Sequence, residues 1–228
     1  MRLKSLFALA TGLLLAGSLA AQTPAVPAQS VVPPPATPEN ILNLDLSTGG
    51  RVSIQLRPDI APNHVERIKV LTRQGFYNGH VFHRVIEGFM AQTGDPTGTG
   101  TGGSELPDLA AEFNVLPHVR GTVAAARAEE ENSANSQFFI MFGPRLGLDN
   151  HYTAFGRVIS GMNFVDAIER GEPPSNPSRI IRASLGSDNI PPLTAAEIAA
   201  AATPPAVPVV AVPGAALPAP AAGASPPR

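Results

Sequence analysis

Near the start of the chain's central region, apolar and polar residues alternate on both sides of a glycine turn. Leu42, Leu44 and Leu46 share one face of an extended segment, Thr48-Gly49-Gly50 supplies the turn, and Val52, Ile54 and Leu56 alternate again. Period-two patterning on both sides of a turn predicts a β-hairpin with one buried face. From Ala61-Pro62 the period becomes that of a helix. Val65, Ile68 and Leu71 recur on one face, proline sits in the first turn, and Gly75 stands where a helix stops. Short strands are predicted at Val81–Ile86, Phe89–Thr93, Thr122–Ala126, Gln137–Phe142, Ala154–Val158 and Ile180–Leu185, and a second helix at Met162–Arg170, closed by Gly171. About eight strands and two helices result, and they do not alternate, which argues against a parallel βαβ sheet. A mainly antiparallel barrel or sandwich with helices over its open ends fits better.

The flanks have a different composition. Most of the 25 prolines lie in Gln22–Pro38 and Pro191–Arg228, alanine-rich stretches with few large apolar groups to offset the entropy of ordering. These are expected to be extended and mobile. At the N-terminus, Arg2 and Lys4 precede an apolar run from Leu6 to Ala16, and Ser18-Leu19-Ala20 offers small residues for cleavage. That is the pattern of a secretory signal peptide. The run is too short for a spanning helix, which needs about 20 apolar residues. The expected organisation is a signal peptide over 1–20, an Ala/Pro-rich linker over 21–38, one folded domain over 39–187 and a disordered Ala/Pro-rich tail over 188–228. The expected location is periplasmic or extracellular, with no stable membrane insertion after cleavage.

A net charge of −2 with no basic run argues against nucleic-acid binding. The absence of cysteine excludes disulfides, thiol nucleophiles, thiolate-bound zinc and a lipoprotein anchor. Gly98-Thr99-Gly100-Thr101-Gly102-Gly103 satisfies G-x-G-x-x-G. It leads into Ser104-Glu105-Leu106-Pro107 rather than a helix, so it reads as a flexible surface loop and not a dinucleotide site. Ser104, His83 or His151, and Asp149 could be assembled into a hydrolase triad, but Ser104 lacks the G-x-S-x-G elbow. The histidines lack metal-ligand spacing. His83, between apolar neighbours, reads as a hydrogen-bonded structural residue, and Glu129-Glu130-Glu131 as a solvated loop tip.

Two segments carry more. In Val81–Ile86, alternation puts Phe82, Arg84 and Ile86 on one face and Val81, His83 and Val85 on the other. In Gln137–Phe142, Gln137 and Phe139 share a face opposite Phe138 and Ile140. Periodicity alone leaves Arg84 an ordinary surface arginine. The consecutive motifs F-H-R-V-I-x-G-F-M-x-Q-x-G-D, G-T-G-T-G-G, N-S-x-x-S-Q-F-F-I, L-D and F-G-R-V, however, resemble the cyclophilin family over about Glu39–Ser187. The resemblance implies an eight-stranded antiparallel β-barrel capped by two α-helices. It also implies peptidyl-prolyl cis/trans isomerase activity that assists protein folding, with no cofactor and no metal. Proline-containing polypeptides would be the partners, and the chain would act as a monomer.

Carried over by motif, Arg84, Phe89 and Gln92 are the expected catalytic set. Met90, Ala126, Arg127, Gln137, Phe139, Leu148 and Tyr152 are the expected substrate-binding residues. Phe89, Met90, Phe139 and Leu148 would wall an apolar proline pocket, while Gln92 and Gln137 would hold Arg84 and the substrate backbone. Ala126 and Arg127 would offer backbone groups to the peptide before the proline. Three positions depart from the family's common pattern. Gly147 stands where many members have tryptophan, Tyr152 where many have histidine, and Arg127 where eukaryotic members often have asparagine. Loss of the tryptophan is expected to weaken the cyclic-peptide inhibitor cyclosporin more than catalysis.

Overall fold

The computed structural model describes residues 29–202. The proposed signal peptide, the first part of the linker and the end of the tail lie outside the described residues.

Strands β1 (Ile41–Leu46) and β2 (Gly50–Leu56) form the expected hairpin, with Leu42 opposite Ile54 and Leu44 opposite Val52. Its six alternating apolar residues are all buried in one core. Helix α1 (Pro62–Arg73) buries Val65, Ile68 and Leu71 as the periodicity requires, and Gly75 follows in the left-handed region at φ +69°. Six strands follow: β3 (Arg84–Ile86), β4 (Met90–Thr93), β5 (Thr122–Ala125), β6 (Phe138–Met141), β7 (Ala154–Ser160) and β8 (Ile180–Leu185). All eight join one antiparallel sheet in the order β3-β4-β6-β5-β7-β2-β1-β8.

The sheet curls into a barrel, and its two edges meet outside regular strand pairing. Val81 bridges Arg179, Phe82 N–H donates to Ser178 O at 2.8 Å, and Ile180 N–H donates to His80 O at 2.9 Å. This crossing corrects the first predicted strand. Regular pairing with β4 begins only at Arg84, while residues 80–82 bond to the opposite edge. Phe82 therefore enters the main core with Val85 instead of sharing the face of Arg84.

Helix α2 is regular only over Met162–Asp166, shorter than expected, although Val165 and Ile168 are both buried. Gly171 does not simply close it but bridges Val85 of β3. Phe164 of α2 lies where a side chain on Gly50 would sit, so β2 needs glycine there for the helix to dock.

The segments read as extended and mobile are partly built into the body. Gln55 Nε2 donates to Pro34 O at 2.7 Å, and the buried Arg57 donates to Ser30 O at 2.6 Å. On the other side, Arg51 and Arg182 both grip the buried Asp45 and donate to the carbonyls of Ile190 and Pro191. A third helix, α3 (Ala195–Ala202), then forms and buries Ile198. Thr194 and Glu197 cap each other at its start: Thr194 N–H and Oγ1 donate to the carboxylate, and Glu197 N–H donates back to Oγ1. This reciprocal cap, with alanines behind it, makes helix the lower-energy state there.

Candidate active site

A second apolar cluster lies on the outer face of the sheet, separate from the barrel core. Met90, Ala124, Ala126, Phe139, Met141 and Ala154 are buried in it, with Phe89, Leu148 and Tyr152 partly buried against them. Strand register builds it. Arg84 of β3 is opposite Gln92 of β4, Gln92 is opposite Phe139 of β6, and Phe139 is opposite Ala124 of β5. Residues opposite one another share a face, so these four form one row across the sheet. Met90, paired with Ile86 and Met141, heads the next row.

Over this face opens a cavity of about 200 Å³ lined by Arg84, Phe89, Met90, Gln92, Ala126, Arg127, Phe139, Leu148 and Tyr152. Nine of the ten residues singled out from the sequence are thus brought together. The tenth, Gln137, lines an adjoining cavity of about 560 Å³ that shares Gln92, Ala126 and Arg127.

Polar groups along the rim form a relay. Arg84 Nε donates to Glu172 Oε2 at 2.8 Å, and Arg84 Nη1 reaches Gln92 Oε1 at 3.5 Å. Gln92 Nε2 donates to Gln137 Oε1 at 2.9 Å. Gln137 Nε2 donates in turn to the carbonyls of Gly100 and Gly102, at 3.0 and 2.7 Å. Arg84 Nη2 donates to no group among the described residues.

The glycine-rich loop is the fixed end of this relay, which corrects its reading as a flexible surface loop. Asp95, almost fully buried, accepts the N–H groups of Thr97, Thr99 and Gly100 and the Thr97 hydroxyl. Burial pushes the Asp95 carboxyl up, but the Thr97 hydroxyl and the N–H groups of Thr97, Gly102 and Gly100 outweigh it, holding its pKa at about 2. A side chain on Gly102 would collide with Asp95 Oδ1, so the loop needs glycine to wrap the carboxylate.

Arg127 is committed to the pocket edge. Its guanidinium lies 4.8 Å from the Tyr152 ring centroid and donates to the carbonyls of His151, Ala128 and Glu129. Behind the pocket, the buried His118 stacks on Phe139 (centroids 6.3 Å apart, planes at 28°), with Nδ1 2.8 Å from Asp149 Oδ1. Burial lowers the His118 pKa in spite of Asp149.

The rival chemistries find no support in the geometry. Ser104 Oγ donates to Asn135 Oδ1 at 2.7 Å, and Asp149 partners His118 rather than His83 or His151. His83 is buried, but neither ring nitrogen has a hydrogen-bond partner among the described residues, contrary to the expected hydrogen-bonded role. Its ring instead packs beneath Gly100. No group of metal-ligating side chains occurs among the described residues.

Residues 42–185 match the family described as cyclophilin type peptidyl-prolyl cis-trans isomerase/CLD. The chain belongs to this family. A probable peptidyl-prolyl cis-trans isomerase of Brucella suis biovar 1 (strain 1330) is 50% identical over 169 residues, covering 67% of this chain and 86% of that protein. The mouse peptidylprolyl isomerase domain and WD repeat-containing protein 1 is 46% identical over 122 residues, 52% of this chain but only 19% of the mouse protein. Among solved structures, the cyclophilin AquaCyp293 from Hirschia baltica superposes with a TM-score of 0.63 at 30% identity, covering 68% of this chain and 77% of that one. A Cryptosporidium parvum cyclophilin type isomerase, crystallised in the presence of the dipeptide Ala-Pro, gives 0.60 at 26% identity, covering 64% and 98%. The chain is therefore a cyclophilin peptidyl-prolyl cis-trans isomerase by family.

Two parts of this cyclophilin's site are not legible in the sequence. Glu172 is 88 positions from Arg84, in an irregular segment with no periodic signal. Asp95 stands at the end of a recognised motif, but nothing in the sequence points its carboxylate back into the loop that follows.

Proposed function

We propose that the 200 Å³ cavity seats the proline ring of an X-Pro peptide while Arg84 donates to the prolyl nitrogen. Partial double-bond character gives the amide a rotational barrier of roughly 18–20 kcal/mol, so unassisted isomerisation takes about 10–100 s. In the twisted transition state the nitrogen becomes pyramidal and exposes a lone pair. Arginine suits that lone pair because it always donates and never accepts. The observation that carries this reading is a guanidinium held at the rim of an apolar pocket, with Nε and Nη1 engaged and Nη2 still unspent.

Phe89, Met90, Phe139 and Leu148 clamp the ring while the preceding carbonyl swings. Only contacts that strengthen in the twisted form accelerate the step. The backbone of Ala126 and Arg127 takes the peptide ahead of the proline; Arg127 N–H has no backbone partner among the described residues, which suits it to that part. Crystallisation of the C. parvum relative in the presence of Ala-Pro supports proline-containing peptides as substrates. A charge-assisted hydrogen bond contributes about 1.5–3 kcal/mol, or roughly 10- to 150-fold in rate. Exchange spectroscopy on a short X-Pro peptide should show Arg84→Ala slower by that factor. Equal rates would sink the catalytic assignment.

The clients we propose are exported polypeptides. The charged, apolar and small-residue order of residues 1–20 supports export to the periplasm or beyond, with cleavage releasing the chain from about Ala21 onward. N-terminal sequencing of the exported protein should start near Ala21; an intact Met1 would overturn cleavage.

A further inference from the structure

Arg84 is held by two side chains, and the stronger contact is not the glutamine. Gln92 Oε1 lies 3.5 Å from Nη1, at the outer limit of a hydrogen bond, whereas Glu172 Oε2 lies 2.8 Å from Nε. We propose that Glu172 is a positioning residue for Arg84, fixing the plane and direction of the guanidinium so that Nη2 meets the prolyl nitrogen. This rests on the role of Arg84 proposed above.

The placement of Glu172 is built into the fold. Its neighbour Gly171 exchanges two backbone hydrogen bonds with Val85, the neighbour of Arg84: Val85 N–H to Gly171 O at 2.8 Å and Gly171 N–H to Val85 O at 2.9 Å. One residue further along each strand of this bridge stand Arg84 and Glu172. Gly171 has φ +144°, and a Cβ there would fall 2.6 Å from Pro174 Cα, so the segment folds back tightly only with glycine. The two-bond bridge thus delivers a carboxylate to Nε, while Gln92 approaches Nη1 and Nη2 is left for substrate.

The pair is poorly placed to serve stability. Arg84 and Glu172 side chains are 43% and 50% exposed, and ion pairs in that setting add little to folding. What the carboxylate removes is rotation about the last side-chain bonds of Arg84. A free guanidinium in water samples several rotamers, and freezing it in advance moves that entropy cost out of the chemical step. The expected signature is a loss in kcat with KM and thermal stability held.

The test uses the full chain with Glu172→Ala and Glu172→Gln, each also combined with Arg84→Ala, and the X-Pro exchange assay. Glu172→Ala should lower kcat about tenfold, a 1.4 kcal/mol effect, with KM within about twofold. Glu172→Gln, which keeps an acceptor without the charge, should recover part of the loss. The 15N–1H signal of Arg84 Nε should move in both variants. In the Arg84→Ala background, neither change should lower the rate further. A Glu172→Ala kcat within twofold of wild type overturns the proposal, as does an equal loss in the Arg84→Ala background. If Arg84→Ala itself keeps the wild-type rate, the reading of Arg84 falls as well; if Arg84→Ala collapses while Glu172→Ala does not, only the positioning role falls.

Discussion

Phe138 and Phe139 are consecutive residues with opposite tasks. Phe138 packs edge-on against Tyr77 and Phe155 inside the barrel, while Phe139 faces outward between His118 and Tyr152. A strand can serve a core and a binding pocket at once because its side chains alternate. Gly147 adjoins the lining residue Leu148 and faces open space. A Cβ built there meets nothing within 4 Å, and its backbone is not in the left-handed region. Gly147→Trp should therefore fold normally. Because buried tryptophans are frequent binding anchors, worth about 2 kcal/mol or more, it should tighten cyclosporin inhibition at least about tenfold with little change in isomerase rate. An inhibition curve indistinguishable from wild type would refute this. At this scale alternation gave Phe139 its face, but Arg84 and Gln92 were singled out only by the motif resemblance, because periodicity leaves a strand arginine looking like any surface residue. It misled at Phe82, where the backbone changes pairing partner between residues 82 and 84, a switch that no local pattern records.

Among the elements, the Asp95–Gly103 loop transmits order from a buried carboxylate to the polar rim. Asparagine at position 95 would keep one acceptor oxygen but put an NH₂ group where the loop's N–H groups converge, leaving donors facing donors. Asp95→Asn should cost on the order of 1–3 kcal/mol in stability, the usual penalty for unsatisfied buried polar groups. It should also weaken the hold on Gln137, seen as a lower melting temperature together with a slower exchange rate. Unchanged values of both would show that the loop is organised some other way. The hairpin, α1 and the strand set followed from periodicity and turn chemistry. Helix α3 did not, because alanine-proline composition outweighed a Thr194–Glu197 cap that was visible in the sequence. The relay's far partner, Glu172, was invisible for a different reason: its position depends on the tertiary bridge between Gly171 and Val85.

For the whole molecule, buried titratable groups set the response to pH. Burial lowers the pKa of His64, His80, His83 and His118. The unfolded chain, with histidines near about 6.5, then takes up protons first as the pH falls. Their contribution is complete above that value and is lost as pH drops through it toward the folded values. Asp95 and Glu112 titrate in the same direction but lower. Burial raises both, and hydrogen bonds from the Thr97 loop and from His64 outweigh it. Their contribution is lost only below about pH 4. Melting temperatures should therefore be level above about pH 7, decline toward about pH 5, and decline again below about pH 4. A level profile between pH 7 and 5 would contradict the histidine account.

The segments that flank the barrel also decide where force enters the molecule. Pro34 is tied to β2 and Ser30 to Arg57 just beyond it, while Ile190 and Pro191 are tied to arginines on β2 and β8. None of the strands β1, β2 and β8 contributes a residue to the cavity. A molecule grafted to a surface by either end, or stretched between both, is loaded along that seam, with tension carried by guanidinium–carbonyl contacts and the hairpin ladder. The residues that line the cavity take no part in those ties, so a tethered copy should keep working under pulls that merely strain its anchorage.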